Sequence, residues 1–198
     1  MNGRDQVVGI VGLGYVGLPL AVSFAEAGLE VHGLEANAGR VAQLRAGSSP
    51  ISDVSDERLE AALAGGLRIE AADPALVRAC DVVFVCVPTP IDRAKNPDLG
   101  PVRRAGAMIG EGLRAGQLIV LQSTTYPGTT VGPFRIELER GGLIAGKDFD
   151  LAFAPERVNP GDPASARDLR EGTAMAVQLA DLIRTIDDKL RVASGTAT

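Results

Sequence analysis

The chain has few of the residues from which disulfide frameworks and metal centres are built. Its 198 residues include two cysteines, one histidine and no tryptophan. Cys80 is predicted to end a helix and Cys86 to lie within the strand that follows, which argues against a disulfide framework and fits a reducing compartment. Cys86 is open to a nucleophilic role, although a small buried hydrophobe is the favoured interpretation. His32 has no cysteine cluster near it, so the sequence offers no metal site.

Long apolar runs and an excess of basic residues are also missing. The longest uncharged apolar stretches, such as 82–87, have the length of a strand and cannot span a bilayer. The net charge is −5 and the basic residues are scattered, which argues against a nucleic-acid partner. The N-terminus lacks the basic segment that begins a signal peptide, so we expect a cytoplasmic protein without a membrane partner. Hydrophobic residues make up 45% of the chain, which predicts one well-cored domain.

The most informative stretch is a glycine pattern that directly follows a short apolar run. Residues 6–11 are predicted to form a strand buried on both faces, and residues 18–27 an apolar helix. Between them, Gly12, Gly14 and Gly17 have the G-x-G-x-x-G spacing of a dinucleotide site. In that interpretation Gly12 makes the turn, Gly14 lets the backbone approach a pyrophosphate, and Gly17 lets the helix pack closely on the sheet. The N–H groups at the start of the helix would face the phosphates.

An acid follows at the position where a dinucleotide site needs one. The next predicted strand, 30–34, ends in Glu35, at about the 20-residue spacing expected for the acid that holds an adenosine ribose. A carboxylate accepts hydrogen bonds from ribose hydroxyls and repels a 2′-phosphate, so NAD is favoured over NADP. Arg40 leaves two interpretations open, because its guanidinium could pair with a phosphate or lie over the adenine.

Strand and helix patterns alternate along the chain, which predicts an α/β fold. The expected architecture is Rossmann-like, with a doubly wound, mainly parallel sheet and a C-terminal amphipathic helix. Ser55 is a predicted helix N-cap, and Asp73 precedes a proline that opens a short helix. Further strands are predicted at 67–70, 82–87, 117–122 and 151–153, and helices at 38–46, 56–64, 74–80, 101–114 and 128–140.

Three more loops with chemically useful residues follow predicted strands, so they should line the same edge of the sheet. The first contains Thr89 between two prolines, and the second is the hydroxyl-rich segment 123–130. The third, 154–161, places Glu156 and Arg157 side by side after the last strand. Each loop alone is ordinary turn chemistry, but their predicted convergence favours a shared site.

Together these motifs resemble those of the nucleotide-sugar 6-dehydrogenases, the UDP-glucose/GDP-mannose dehydrogenase family. The resemblance covers roughly residues 6 to 162, and the motif sequences are most similar to those of the branch that oxidises UDP-N-acetylhexosamines. Oxidoreductases of small hydroxy acids share only the glycine turn. The matching strings are GLGYVGLP at 12–19, CVPTP at 86–90, NPD at 96–98, STTYPGTT at 123–130 and PERVNPG at 155–161.

The resemblance implies a four-electron oxidation of a UDP-sugar. The alcohol at carbon six would become a carboxylate, with two NAD as oxidants and a thioester on a cysteine as intermediate. Gln122 and Glu35 depart mildly from the family, which commonly has an acid and Asp there. By position, the resemblance assigns Tyr15, Val16, Glu35, Thr89 and Thr124 to NAD contacts, Arg157 and Val158 to the nucleotide sugar, and Glu156 and Thr124 to catalysis, with Glu156 as general base in thioester hydrolysis.

The family's cysteine nucleophile and its lysine belong to a middle and a C-terminal domain. We expect this chain to hold a NAD-binding domain over 1–162 and a divergent helical tail over 163–198, in which Lys189 cannot take that lysine's role. The chain is then a truncated enzyme, inactive alone; the alternative is a stand-alone NAD-binding module or partner protein without turnover. A homodimer through the tail is one of two uses for its apolar stripe, the other being packing on the sheet. The stripe consists of Met175, Leu179, Leu182, Ile183, Ile186 and Leu190.

Overall fold

One parallel sheet of six strands organises residues 6–90 and 97–154, the part of the chain that the computed structural model describes. The strand order is β3-β2-β1-β4-β5-β6, which confirms the predicted doubly wound, Rossmann-like fold. All five neighbouring pairs run parallel. The strands are β1 (Val7–Val11), β2 (Glu30–Glu35), β3 (Leu67–Ala71), β4 (Val82–Val85), β5 (Leu118–Leu121) and β6 (Asp150–Phe153).

Helices connect these strands and cover the two faces of the sheet. In the described residues they are α1 (Gly17–Glu26), α2 (Ala38–Arg45), α3 (Asp56–Ala64), α4 (Pro74–Ala79), α5 (Gly100–Gly112) and α6 (Arg135–Leu138). A wide π-type turn at Thr130–Phe134 precedes α6, and a 3-10 turn at Glu139–Gly141 follows it.

Each face of the sheet has its own hydrophobic core. On one face α1, α2 and α3 bury side chains such as Phe24, Leu44 and Leu59. The rings of Phe24 and Phe84 pack there with their centroids 5.3 Å apart. On the other face α4, α5 and α6 bury their own apolar residues, Ile109 among them. Burial on both faces explains why β1 and β4 consist of unbroken apolar runs instead of alternating residues.

The predicted helix starts at Ser55 and Asp73 are confirmed. The Ser55 hydroxyl accepts a hydrogen bond from the Arg58 N–H at 3.3 Å, and the Asp73 carboxylate accepts one from the Ala75 N–H at 2.7 Å. These side chains satisfy N–H groups that have no partner within the first turn of a helix.

Most predicted boundaries differ from the observed ones by one or two residues, and two of the differences have clear physical causes. Residues 128–140 do not form one regular helix, because Pro133 has no N–H to donate and Gly132 takes non-helical angles (φ −106°, ψ −107°). The strand predicted over 82–87 ends at Val85, so Cys86 follows the strand and does not lie within it. The Cys86 N–H still donates to the Val11 carbonyl at 2.8 Å, and the chain then leaves the sheet toward two prolines.

The point at which the strand order reverses positions the site. β1 pairs with β2 on one side and with β4 on the other, so the loops that follow β1 and β4 diverge in opposite directions. A crevice forms between such loops at the carboxyl edge of the sheet, and ligands of open α/β folds bind there.

Candidate functional site

A cavity of about 970 Å³ opens at this carboxyl edge. Its volume lies at the upper end of the range for small-molecule sites. The chain segments that follow β1, β2, β4 and β5 line the cavity, together with one face of α5. The structure thus brings together the sequence-predicted residues Gly12, Gly14, Tyr15, Val16, Glu35, Arg40, Thr89 and Thr124.

Gly12 and Gly17 are required by the packing of the chain itself. Gly12 has a φ of +93°, and a Cβ there would lie 2.8 Å from the Cys86 carbonyl oxygen. A Cβ on Gly17 would collide with the Gly12 carbonyl oxygen and approach Cys86 Cβ to 3.1 Å. The turn and the close helix packing predicted for these two glycines are both present.

Gly14 is different, because the described protein leaves open space around it. A Cβ built at Gly14 meets only the Arg40 guanidinium, at 3.9 Å, which is ordinary contact. The packing of the described residues therefore does not require a glycine here. The missing side chain is explained by a ligand whose atoms approach the backbone from the cavity, as a pyrophosphate does in a dinucleotide site.

The N-terminus of α1 also fits a phosphate ligand. No side chain caps this helix at Val16, and its first turn carries no acidic residue. The helices α2, α3 and α4 are each capped by a side chain, those of Asn37, Ser55 and Asp73, whereas α5 and α6, like α1, have no side-chain cap. An uncapped helix start with its N–H groups and positive dipole end beside a cavity is suited to an anion.

Glu35 is held at the end of β2 by backbone donors. One carboxylate oxygen accepts the Leu13 N–H at 3.0 Å, and the other accepts the Asn37 N–H at 2.9 Å. The residue is only 8% exposed, yet it lines the cavity. Because each carboxylate oxygen can accept a second hydrogen bond, Glu35 retains acceptor capacity for ribose hydroxyls.

Arg40 lies beside Glu35 and over the glycine turn. Its Nη1 is 3.8 Å from a Glu35 carboxylate oxygen, and its side chain is 39% exposed. This position of Arg40 is compatible with both roles that the sequence left open, a phosphate contact and an adenine contact. The ion pair with Glu35 is an interaction that the sequence did not reveal, since it depends on the course of the loop before α2.

Hydroxyl groups join the loops that follow β4 and β5. The Thr89 hydroxyl donates to the Thr124 carbonyl at 2.7 Å, and the Ser123 hydroxyl donates to the Val87 carbonyl at 2.8 Å. Thr89 has therefore used its only hydroxyl hydrogen within the protein. Toward a ligand its oxygen can only accept, which fits a ribose hydroxyl or a carboxamide N–H and not a phosphate oxygen.

The helix α5 contributes cavity residues that sequence reasoning missed. Pro101, Arg104, Ala105 and Met108 line the cavity, and so does Ala72, which follows β3. Their spacing of three and four residues places the α5 members on one face of the helix, which is a readable signal. The same spacing also describes an ordinary core face, so the sequence alone did not separate the two roles.

The two cysteines are buried in the two hydrophobic cores that cover opposite faces of the sheet, Cys86 in one and Cys80 in the other. Cys80 donates from Sγ to the Leu76 carbonyl at 3.3 Å, while Cys86 lines the cavity with Gln122 close to its sulfur. Burial, with a further contribution from the Asp81 carboxylate, raises the pKa of the Cys80 thiol to about 12. Cys80 is thus an inert core residue.

The burial of Cys80 in the core and the position of Cys86 at the cavity predict the order in which the two thiols react. At pH 8 roughly one Cys80 thiol in ten thousand is ionised, because its pKa is about 12. A maleimide should therefore label Cys86 first in the native protein, NAD should slow that labelling, and Cys80 should react only after unfolding. Mass spectrometry of labelled peptides measures the order, with Cys86→Ser as control. Native labelling of Cys80 ahead of Cys86 would contradict the described burial.

Several sequence-predicted residues lie outside the described residues. Glu156, Arg157 and Val158 are among them, as is the whole tail, 163–198, with its apolar stripe. Within 6–90 and 97–154, no group of three or more His, Cys, Asp or Glu side chains is placed to hold a metal ion. In the same part of the chain, every helix is too short or too polar to cross a bilayer.

Comparison with known proteins identifies the family. The model of the UDP-glucose/GDP-mannose dehydrogenase family, NAD binding domain, matches residues 6–172. The UDP-N-acetyl-D-glucosamine 6-dehydrogenase of Pseudomonas aeruginosa is 41% identical over 160 residues, which are 80% of this chain and 37% of that protein. The enzyme of the same name from Salmonella typhi is 34% identical over 202 aligned residues, covering 99% of this chain and 46% of that protein.

Solved structures agree with this result. The NDP-N-acetyl-D-galactosaminuronic acid dehydrogenase of Methanosarcina mazei superposes with a TM-score of 0.72 at 34% identity, covering 80% of this chain and 36% of that one. The chain spans less than half the length of the curated relatives named above. Sequence motifs, sheet order and the cavity at the glycine turn agree with these matches: the chain belongs to the UDP-glucose/GDP-mannose dehydrogenase family and contains its NAD-binding domain.

Proposed function

We propose that this chain supplies the NAD-binding part of an enzyme that oxidises the carbon-six alcohol of a UDP-N-acetylhexosamine to a carboxylate. The observation that carries the proposal is the open space at Gly14 beside an uncapped helix, where the protein leaves room for a pyrophosphate. The substrate class is supported by relatives that bear the name UDP-N-acetyl-D-glucosamine 6-dehydrogenase. A cytoplasmic enzyme is further proposed, because NAD is its cofactor and because free cysteines such as Cys80 and Cys86 are typical of a reducing compartment.

Different groups of the described residues would bind different parts of the cofactor. The N–H groups at the start of α1, with Gly12, Gly14 and Gly17 beneath them, would hold the pyrophosphate. Glu35 would accept from the adenosine ribose, and Arg40 would cover the same end of the cavity. Tyr15, Val16, Thr89 and Thr124 would complete the NAD contacts. When bound, NAD accepts hydride from the substrate carbon.

The sugar end of the site rests on residues outside the described part of the chain. Arg157 and Val158 are proposed to contact the nucleotide sugar, and Glu156 to act as a general base toward water. Thr124, which lines the described cavity, is proposed to belong to this catalytic group. Its carbonyl accepts a hydrogen bond from the Thr89 hydroxyl. We further propose that residues 1–162 form the NAD-binding domain and that the tail 163–198 joins two copies of the chain.

A chimera tests this function directly. Residues 6–172 would replace the matching segment of the Pseudomonas aeruginosa relative, and NADH formation would be followed by its absorbance with UDP-N-acetyl-D-glucosamine. We expect steady turnover by the chimera, and loss of turnover when it carries Gly14→Val. A folded chimera that binds NAD but makes no NADH from UDP-N-acetylhexosamines would contradict the proposed activity.

A stand-alone NAD-binding module without turnover is the second candidate. The burial of both described cysteines favours it, because Cys80 lies in the core and Cys86, although it lines the cavity, is only 8% exposed. The same assay on the chain by itself separates the two candidates. NAD binding without NADH formation supports the module, whereas turnover that Cys86→Ser abolishes would assign the nucleophile to Cys86.

A further inference from the structure

Two hydroxyl groups cross between the loops that follow β4 and β5, and they do so in opposite directions. Thr89, in the first loop, donates to the Thr124 carbonyl of the second loop at 2.7 Å. Ser123, in the second loop, donates to the Val87 carbonyl of the first loop at 2.8 Å. Each loop thus supplies one hydroxyl donor and one backbone acceptor, and we refer to this reciprocal pair of hydrogen bonds as the hydroxyl clasp.

The hydroxyl clasp begins where the pairing of the two strands ends. Val85 is the last residue of β4, and its carbonyl accepts the N–H groups of Gln122 and Ser123, each at 3.0 Å. Beyond that point, no backbone-to-backbone hydrogen bond joins 87–90 to 123–127 in the described structure. The first of these segments contains two prolines, which have no N–H group to donate. Side-chain hydroxyls therefore take over from the backbone in holding the two loops together.

Ser123 is committed to the hydroxyl clasp although it lines the cavity. The residue is 7% exposed, and its Oγ lies 3.2 Å from the Val85 carbonyl oxygen as well as 2.8 Å from that of Val87. Because the Val85 carbonyl already accepts two N–H groups, the single hydroxyl hydrogen goes to Val87. Removal of this hydroxyl therefore takes away a contact between the loops and leaves the hydrogen-bond donors available to a ligand unchanged.

The two loops form one side of the cavity, which residues 87–89 and 122–124 line. Ordering loops around a ligand lowers affinity, because conformational entropy is lost on binding. The two bonds of the hydroxyl clasp support each other, since each keeps the donor and the acceptor of the other within reach. Loss of one bond therefore weakens the second, and the loops lose the arrangement that they have before a ligand arrives.

We propose that the hydroxyl clasp fixes the loops after β4 and β5 as a single wall of the NAD site, with Ser123 and Thr89 as positioning residues that act as one unit. The inference rests on the proposed binding of NAD in this cavity, and it adds a role for Ser123. Positioning differs from direct contact in one measurable respect. Two independent contacts with NAD would contribute separately to its affinity, whereas the two halves of one clasp contribute together.

A double-mutant cycle separates these two cases. Ser123→Ala should weaken NAD binding about fivefold, the factor expected for one net hydrogen bond. Thr89→Val keeps the shape of the side chain, removes the hydroxyl and should weaken binding by at least as much. In the Thr89→Val background, Ser123→Ala should cost less than about twofold, because the hydroxyl clasp is already broken. Calorimetric titration with NAD gives the affinities, and circular dichroism checks that each variant is folded.

Thr129→Val is the matched control. Thr129 is a buried residue of the same loop, but its hydroxyl donates to the Tyr126 carbonyl within that loop at 2.9 Å. It is not among the described residues that line the cavity. Its substitution removes a hydrogen bond of the same kind outside the hydroxyl clasp, so NAD affinity should stay within about twofold of the wild type. Combined with Ser123→Ala, the two effects on affinity should multiply.

Amide NMR spectra recorded without NAD report the hydroxyl clasp itself. Thr89→Val should shift the amide signals of Thr124 and Thr125 in the opposite loop, and Ser123→Ala should shift those of Val87 and Thr89. Thr89→Ser keeps a hydroxyl at that position, and it should restore both the wild-type signals of the opposite loop and the NAD affinity. This comparison of two variants at position 89 does not depend on the folding of Ser123→Ala.

Two results would overturn the inference while leaving the proposed function intact. One is a Ser123→Ala protein that binds NAD as tightly as the wild type. The other is a double variant in which the losses caused by Ser123→Ala and Thr89→Val multiply. Folded wild-type protein that does not bind NAD would instead refute the proposed function, and this inference with it.

Discussion

Gly17→Ala is expected to destabilise the folded chain by at least about 3 kcal/mol. An alanine in a helix normally stabilises a protein relative to glycine, by up to roughly 1 kcal/mol in the interior and by less at a first residue such as Gly17, so the expected effect has the opposite sign. The reason is that the new Cβ would collide with the Gly12 carbonyl oxygen and approach Cys86. Both neighbours are held by the turn and the end of β4, and neither can move without disrupting the switch point of the sheet.

Urea unfolding followed by circular dichroism measures this loss. Gly14→Ala is the matched control, because its Cβ would meet only the Arg40 guanidinium at 3.9 Å and stability should stay close to that of the wild type. A Gly17→Ala protein as stable as the wild type would show that α1 does not approach the Gly12 carbonyl as described.

Gly14→Val is expected to weaken NAD binding at least about a hundredfold while leaving the thermal unfolding temperature nearly unchanged. The valine side chain would project into space that the described residues leave open, which is the space assigned to the pyrophosphate. Losing two or more phosphate hydrogen bonds corresponds to about 3 kcal/mol or more, and hence to about a hundredfold in affinity.

Calorimetry and thermal unfolding on the same preparation keep binding and folding apart. Gly28→Ala, a change at a glycine remote from the cavity lining with a φ of +81°, should lower stability without changing NAD affinity. If Gly14→Val bound NAD as tightly as the wild type, the cavity at the glycine turn would not be the pyrophosphate site.

Most of the fold follows from the sequence because its signals are local. The continuous apolar runs of β1 and β4 reflect burial on both faces, and the caps at Ser55 and Asp73 act within one helical turn. The glycine pattern is readable for the same reason, since the turn, the close packing and the pyrophosphate approach each involve neighbouring residues.

The features that the sequence did not reveal depend on contacts between distant segments. The Glu35 carboxylate binds the Leu13 N–H across 22 positions, and Thr89 binds the Thr124 carbonyl across 35. No periodicity encodes such pairs. The break in the helix predicted over 128–140 was readable in principle from Pro133, but a proline near the first turn is often tolerated.

The positions of the cavity residues on α5 were hidden for a different reason. Ala105 and Met108 repeat at a spacing that also describes a core face, and Ala105 is in fact buried. Chain order already places this helix after β4, but only the sheet order shows that β4 lies at the switch point. The role of α5 in the cavity is thus a consequence of topology and not of local sequence.

The central claim is that NAD binds at the crevice between the loops that follow β1 and β4. Amide NMR spectra of the chain titrated with NAD test this claim most directly, because each backbone N–H reports its own surroundings. We predict that the amides of Leu13 to Gly17 and of Asn37 shift together, while those of 143–148, away from the cavity, stay in place. Saturable shifts confined to another surface, or no shifts in a folded chain at high NAD concentration, would contradict the account.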